Sequence, residues 1–508
     1  MKKTLASLVA LVMVLSFATV AFAQNATEYY GNDVSQHESL VMYVIGDEPT
    51  DSNAVEERLN ALMEEKLNTT VEFNYIPLSD YEQKYSLLLA SGTDIDIMYT
   101  STWAFYNQEA TKGAFAEITA ENLQKFMPQT YESEDKMAFE QAKINGVCYM
   151  VPRNNAYVNN AVPVLIRGDL KEKYGIEKID SVDALEAYFT AIAKNETGIY
   201  PYAAAGNGVD LSINLFQSRY NMLPFNGLDK YFGYFYEAGK APTADDIAWQ
   251  LGTDKYLEYA TLMKKWADMG FWSKNAVSNT ISPRDAFENG TSASVFWNID
   301  TCESIKNTVD AAHPEWKAEL VNVTPGVVHA KGIYTGDGFA VPATSSKLAR
   351  AMMALDLLKN DKAMYDLCRY GIEGEHYNAT SDTTYTLAAN QGNYVVANAP
   401  LSWGLKNDKL ERIAGEAGAQ ASEIRQELFG DAVTEITSGF IFDETPVKPE
   451  LAAISEVCSQ YVPMLELGLV DDVQATLSEF NDKCKVAGLD TVYAEVKAQY
   501  NAYLESQK

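Results

Sequence analysis

Two short runs place aromatic rings beside hydrogen-bonding side chains: Tyr99-Thr100-Ser101-Thr102-Trp103 and Phe296-Trp297-Asn298-Ile299-Asp300. An indole offers a flat apolar face to the C–H face of a sugar ring, and amide and carboxylate groups at the positions of Asn298 and Asp300 can bridge adjacent hydroxyls. Either tryptophan is equally at home in a core. Motifs for bond-making chemistry are absent: there is no H-E-x-x-H, no G-x-S-x-G, no Walker loop and no G-x-G-x-x-G. The four histidines, His37, His313, His329 and His376, are far apart in sequence, which argues against a three-histidine metal centre. Seventy acidic residues make carboxylate pairs unavoidable by chance, so a glycosidase-like acid and base cannot be singled out. The balance leans toward binding rather than catalysis, with no catalytic residue, no metal and no cofactor expected.

The elements that must carry these runs alternate between strand and helix. Ser39 to Ile45 reads as a buried strand that Gly46-Asp47-Glu48-Pro49 ends. Val55, Leu59, Leu62, Met63 and Leu67 recur at helical spacing behind a cap candidate, Ser52. Val71, Phe73 and Tyr75 alternate as a second strand; Ser79 to Ala90 is amphipathic, and Ile95 to Tyr99 is a third strand. This order predicts a parallel sheet covered on both faces, with ligand beyond the strands' carboxyl ends. A second block has strands at Tyr149–Pro152, Val162–Ile166, Ala293–Trp297 and Leu320–Val323, with helices around 184–193 and 255–269. Gly338 to Val341 precedes a helix carrying Leu348, Met352, Leu355 and Leu358. No low-complexity linker divides the chain, so the lobes are expected to interleave. After the Pro-punctuated 440–448 connection everything reads as helix, with Asp471 and Asp490 as caps.

The chain has 508 residues, enough for about two or three domains. Its 70 acidic residues against 40 basic ones give a formal charge of −30, which repels polyanions and excludes nucleic acid as a partner. Lys2 and Lys3, an apolar run to Phe22, and Ala21-Phe22-Ala23 form the pattern of a secretory signal over residues 1–23. An exported protein, placed outside the cell, at its surface or in a periplasm, is therefore expected. Five widely spaced cysteines are read mostly as buried thiols, with Cys458 and Cys484 the one pair worth testing.

Taken in order, several segments resemble bacterial extracellular solute-binding proteins of family 1, the sugar-binding receptors of ABC importers. They are Ala90-Ser91-Gly92-Thr93-Asp94-Ile95-Asp96-Ile97, Gly146-Val147-Cys148-Tyr149-Met150-Val151-Pro152, Phe287-Glu288-Asn289-Gly290-Thr291-Ser292-Ala293 and Gly338-Phe339-Ala340-Val341-Pro342. Ile95 stands where the family usually has Pro. Gly371-Ile372-Glu373-Gly374-Glu375-His376-Tyr377 and the 442–490 region are similar to a lipoprotein-type subgroup with an uncharacterised helical C-terminal domain, although no lipobox cysteine is present. The resemblance implies an α/β, two-lobed type II periplasmic-binding-protein fold with interleaved lobes and a helical C-terminal module. It places residues 36–150 with 298–338 in lobe 1, 151–297 with 339–439 in lobe 2, and 440–508 in the module, with hinge crossings near 150, 296 and 339. The implied ligand is a small molecule, an oligosaccharide, delivered by a monomer to the membrane subunits of an ABC permease. A peptide receptor of the same fold and a secreted carbohydrate-active enzyme are the rival classes. The site residues it implies are Asp47, Trp103, Arg153, Asn154, Tyr157, Trp297, Asn298 and Asp300, with Glu375, His376 and Tyr377 either facing the cleft or forming a structural turn.

Overall fold

The computed structural model describes residues 25–156, 158–159, 161–205, 212–225, 228, 230–396 and 403–508. The 1–23 signal segment and Tyr157 lie outside these. In chain order the main elements of the frame begin with β1 (Glu38–Ile45), α1 (Ser52–Leu67), β2 (Thr69–Ile76), α2 (Leu78–Ala90), β3 (Ile97–Thr100) and β4 (Val151–Pro152). They are followed by β5 (Pro163–Ile166), α3 (Val182–Asn195), α4 (Asp254–Asp268), β6 (Ser294–Phe296), α5 (Ile299–Ala312), β7 (Glu319–Asn322) and β8 (Gly338–Ala340). Helices α6 (Leu348–Asn360), α7 (Lys362–Tyr370), α8 (Gly415–Phe429), α9 (Lys448–Glu466), α10 (Val473–Val486) and α11 (Leu489–Ser506) complete the frame.

The first lobe is built on a five-stranded sheet in the order β2-β1-β3-β8-β4. Leu40, Met42 and Val44 of β1 are buried on one face, as a period-two pattern requires. In α1, Leu59, Met63 and Leu67 bury a stripe in the apolar cluster of this sheet, while Val55 packs with Ile372 and Tyr394. Helix α1 ends at Asn68, held at φ 50° with its amide donating to the Val34 and Ser35 carbonyls, so β2 starts at the next residue. Strands β1, β2 and β3 are parallel, whereas β8 runs antiparallel to both β3 and β4. The sheet is thus mixed, not all-parallel as the strand–helix alternation suggested. Strand β8 arrives from the other lobe, not through a helical crossover, so nothing constrains it to the parallel sense.

The second lobe has a three-stranded antiparallel sheet, β6-β5-β7. Every residue of β5 and β6 is buried. Helix α5 covers one face through Cys302, Ile305 and Val309 against Leu165 and Val295, joined by Ile424 and Leu428 of α8. Tyr188, Phe189 and Ile192 of α3 and Met263 and Trp266 of α4 fill the other side.

Strand pairing corrects the expected division of the chain. Residues 319–322 pair with β5, so the 298–338 segment up to that strand belongs to lobe 2, not lobe 1. Strand β8 pairs with β3, and Met352, Leu355 and Leu358 of α6 share the first lobe's core, so the region from 339 to Ala414 belongs to lobe 1, not lobe 2. No crossing occurs near 296. The chain crosses between β4 and β5, between β7 and β8, and at 414–415, where Gly415 at φ +43° turns the Ile413–Ala414 strand into α8. Two of the crossings pair as a short antiparallel ribbon, Val158–Asn159 against Ala330–Lys331.

Helices α9, α10 and α11 form the C-terminal module and pack on the second lobe. Ile454, Leu465, Phe480 and Tyr500 share one apolar cluster with Phe225, Trp249 and Phe271. Trp249 Nε1 donates to Asn481 Oδ1 at 2.8 Å and Trp272 Nε1 to the Leu467 carbonyl at 2.8 Å. The caps differ from the sequence reading by small shifts. Asp472, not Asp471, accepts from the Ala475 amide, and Gly488, not Asp490, opens α11 because its left-handed φ lets the chain reverse.

Candidate binding cleft

Register brings the candidate residues to two sheet edges. Gly338 lies opposite both Thr100 and Pro152, and the β1–β3 register, continued two residues, sets Ile45 beside Thr100. Asp47, Trp103, Asp337 and Arg153 therefore emerge at one edge of the first lobe. In the second lobe Val164 faces Phe296 and Pro163 faces Asn322, so Trp297 and Asn298 emerge where β5 begins. The crossings run from one of these edges to the other, which makes the two edges the walls of the interlobe cleft.

Trp103 is the exposed aromatic of the first wall, with half of its surface (50%) open to solvent. The loop beneath it is fixed by the Trp103 amide donating to Ser101 Oγ at 3.1 Å and by Thr102 donating to the Thr335 carbonyl from both its amide and its hydroxyl. Around its ring stand Tyr81 and Tyr99, each with its centroid at 6.4 Å, and Trp403 at 6.1 Å and 50°. Two tilted indole rings with tyrosines beside them form an aromatic platform suited to stacking on C–H surfaces. Trp403 is delivered by Gly404, which has no space for a side chain: a Cβ there would lie 2.3 Å from Phe339 Cε2.

Below the platform, Asp337 is buried and accepts from Tyr99 Oη at 2.5 Å and Arg153 Nη1 at 2.9 Å. Arg153 is 5% exposed and its Nε donates to Asn155 Oδ1, so it braces the cleft floor. Asn154 and Asn155 tie this crossing to the loop after Trp403, through Asn407 Oδ1 at 2.7 Å and Asp408 Oδ1 at 2.9 Å. Asp47 is exposed on the lip that follows β1.

On the opposite wall Asn298 caps α5, its Oδ1 accepting from the Thr301 amide at 2.9 Å, which leaves its amide nitrogen and one lone pair of Oδ1 for a ligand. Trp297 is half-buried against the second lobe's core. Asp300 reaches across the cleft: both its oxygens lie 2.9 Å from Nζ of Lys406, a first-lobe residue, while Arg425 of α8 donates to Oδ1 at 2.6 Å. Asp300 keeps 43% of its side-chain surface open. Partial removal from bulk water pushes its carboxyl up, but Lys406, then Arg425 and Arg153, outweigh this and hold it well below the usual carboxylate range. Glu303, 3.4 Å from Arg425, is raised, because burial there exceeds the help of the arginine.

Of the two readings of Glu375, His376 and Tyr377, their bonding supports the structural turn. His376 is buried, accepts the Ile372 amide at Nδ1 (2.9 Å), and therefore donates from Nε2 to Asp51 at 3.0 Å. Tyr377 is buried against Tyr370 and Tyr385, and Glu375 pairs with Arg58 of α1. The segment is a structural turn whose polar groups satisfy one another and the start of α1.

Residues 57–370 match the family described as bacterial extracellular solute-binding protein, which is more than half of the chain. The protein belongs to that family. Residues 436–505 match a domain of unknown function, which coincides with the helical module. This solute-binding protein is 24% identical over 497 residues to a carbohydrate ABC transporter substrate-binding protein of Streptococcus pneumoniae, covering 92% of this chain and 91% of that one. It is similar in structure to the N-glycan transport solute binding protein of S. pneumoniae, with TM-score 0.75, 21% identity, and coverage of 93% of this chain and 100% of that one. The same S. pneumoniae protein in complex with Man5GlcNAc matches with TM-score 0.68 and 20% identity, covering 93% of this chain and 99% of that one. The shared architecture is the two-lobed, mixed α/β solute-binding fold with the C-terminal helical module attached. Among the described residues no helix is long and apolar enough to cross a membrane.

The sequence reading of this solute-binding protein missed Trp403, Lys406, Asn155, Asp337 and Arg425. Trp403-Gly404-Leu405-Lys406-Asn407-Asp408 repeats the aromatic-then-polar pattern of the two runs that were noticed, and that was the available signal.

Proposed function

We propose that the protein captures an oligosaccharide in the interlobe cleft and delivers it, after export and removal of residues 1–23, as a monomer to the membrane subunits of an ABC importer. The observation that carries this reading is the half-open indole of Trp103 inclined to Trp403 at the sheet edge, opposite a wall of amide and carboxylate groups. Sugar recognition needs that combination of apolar face and paired hydrogen-bonding groups. The names of the relatives, which include an N-glycan transport protein and a polygalacturonan/rhamnogalacturonan-binding protein of Bacillus subtilis, support a carbohydrate ligand. Ligand touching both walls favours the closed arrangement of the lobes, and a permease that reads that arrangement is told the cleft is full.

The test is a thermal-shift screen of high-mannose N-glycan fragments, galacturonan oligosaccharides, fructans and short peptides, followed by calorimetry on each hit. A specific ligand at 100 times its Kd adds about 2.7 kcal/mol to the folded state and raises Tm. Stabilisation by an oligosaccharide that is recovered chemically unchanged is the expected result. Stabilisation by peptides alone, or turnover of the glycan that scales with protein concentration, refutes it.

A further inference from the structure

Helices α9 and α10 are antiparallel neighbours joined by a short turn, and side-chain contacts fix their register. The ring of Tyr461 on α9 lies 5.8 Å from that of Phe480 on α10, and the Tyr461 hydroxyl bonds Glu479 at 2.7 Å and Lys483 at 2.5 Å. From that level, Cys458 is three residues back along α9, about 4.5 Å, and Cys484 is four residues on along α10, about 6 Å, in the same direction because the helices are antiparallel. Both cysteines are buried in the same apolar cluster, and the structure holds both as thiols. We infer that Cys458 and Cys484 form a disulfide in the exported protein, stapling α9 to α10.

The two thiols lie close enough to shift one another's pKa in opposite directions. The neighbouring Cys484, then burial, pushes the pKa of Cys458 up, whereas Cys458 lowers that of Cys484. Cys484 is accordingly the sulfur that reacts first. As a thiolate it attacks one sulfur of an oxidised dithiol carrier and releases the other as a thiolate. The Cys458 thiolate then attacks the Cys484 sulfur and expels the carrier's remaining sulfur, so two protons and two electrons leave the protein and the carrier is reduced to its dithiol. Burial of both sulfurs in the docked module requires this exchange to precede docking of the helix pair on the second lobe. The other three thiols have surroundings of their own. Cys148 donates to the Met150 carbonyl, Cys302 to the Trp297 carbonyl, and Cys368 is fully buried among first-lobe residues.

The full chain is refolded in a glutathione redox buffer, freed of glutathione, then unfolded in guanidinium with N-ethylmaleimide and without reductant, and its intact mass is measured. Three adducts are expected, rising to five after reduction, together with a non-reduced proteolytic peptide that links Cys458 to Cys484. The variant C458S is expected to give four adducts, because Cys484 then has no partner. Five adducts on the unreduced wild-type chain, or a linked peptide joining any other pair, overturns the inference.

Discussion

Replacing Trp103 with Ala separates a binding surface from a core contact. A Trp side chain contributes up to roughly 250 Å² of surface, and Trp103 keeps 50% of its own open, so about 125 Å² is free in the empty cleft. A sugar ring stacked on one face covers about half of this, and ~60 Å² at about 25 cal/mol per Å² is ~1.5 kcal/mol, close to tenfold in Kd. The same truncation removes only the half of the indole that touches Tyr81 and Tyr99, so its stability cost falls below the about 3–5 kcal/mol of a fully buried Trp. Trp266, which is fully buried, supplies the contrast: W266A is expected to lose that full amount of stability. Calorimetric titration with the oligosaccharide selected by the screen, and thermal melts of the empty proteins, are made on wild type, W103A and W403A. A roughly tenfold weaker Kd with a small fall in Tm is expected for W103A. An unchanged Kd with a collapsed Tm would return Trp103 to the core and refute the platform.

Acid should open the cleft. Since the folded Asp300 carboxyl titrates below its unfolded value, its pairs with Lys406 and Arg425 are intact above the usual carboxylate range and are lost as pH falls through the folded value. Small-angle scattering of the empty protein is expected to show larger dimensions in acid, and K406M the same expansion at neutral pH; K406M dimensions equal to wild type would remove this pair from the control of the hinge. G404A forces a methyl group into the Phe339 ring and is expected to cost about 1–3 kcal/mol of stability by overpacking, read as a lower Tm. H376A leaves the buried Ile372 amide without its acceptor and is expected to cost about 1–3 kcal/mol in denaturant unfolding with glycan affinity unchanged; a weakened Kd would put that segment back in the site.

Much of the frame was legible because it rests on local patterns. The stripe of Val55, Leu59, Met63 and Leu67 and the alternation of β1 depend only on helix and strand periods, and both appear in the structure where the sequence put them. Which strand pairs with which is a different matter, since period two marks a strand but not its neighbour. That is why residues 319–322 and 339–340 went to the wrong lobes and a crossing was expected near 296. The cleft shows the same division. Trp103 was legible because it follows its strand directly, whereas Lys406 meets Asp300 only through a contact between residues 106 apart. His376 could be read two ways for a physical reason: a Gly-rich polar segment looks like a binding loop until its imidazole is seen satisfied by Ile372 and Asp51.

Capture of an oligosaccharide between the lobes is tested most directly by small-angle scattering of the purified chain with and without the glycan that calorimetry identifies, the glycan being recovered afterwards and weighed by mass spectrometry. One glycan bound per chain, a more compact particle at saturation and an unchanged ligand mass are expected. No saturable binding by any glycan in the panel, or a ligand recovered in cleaved form, would contradict it.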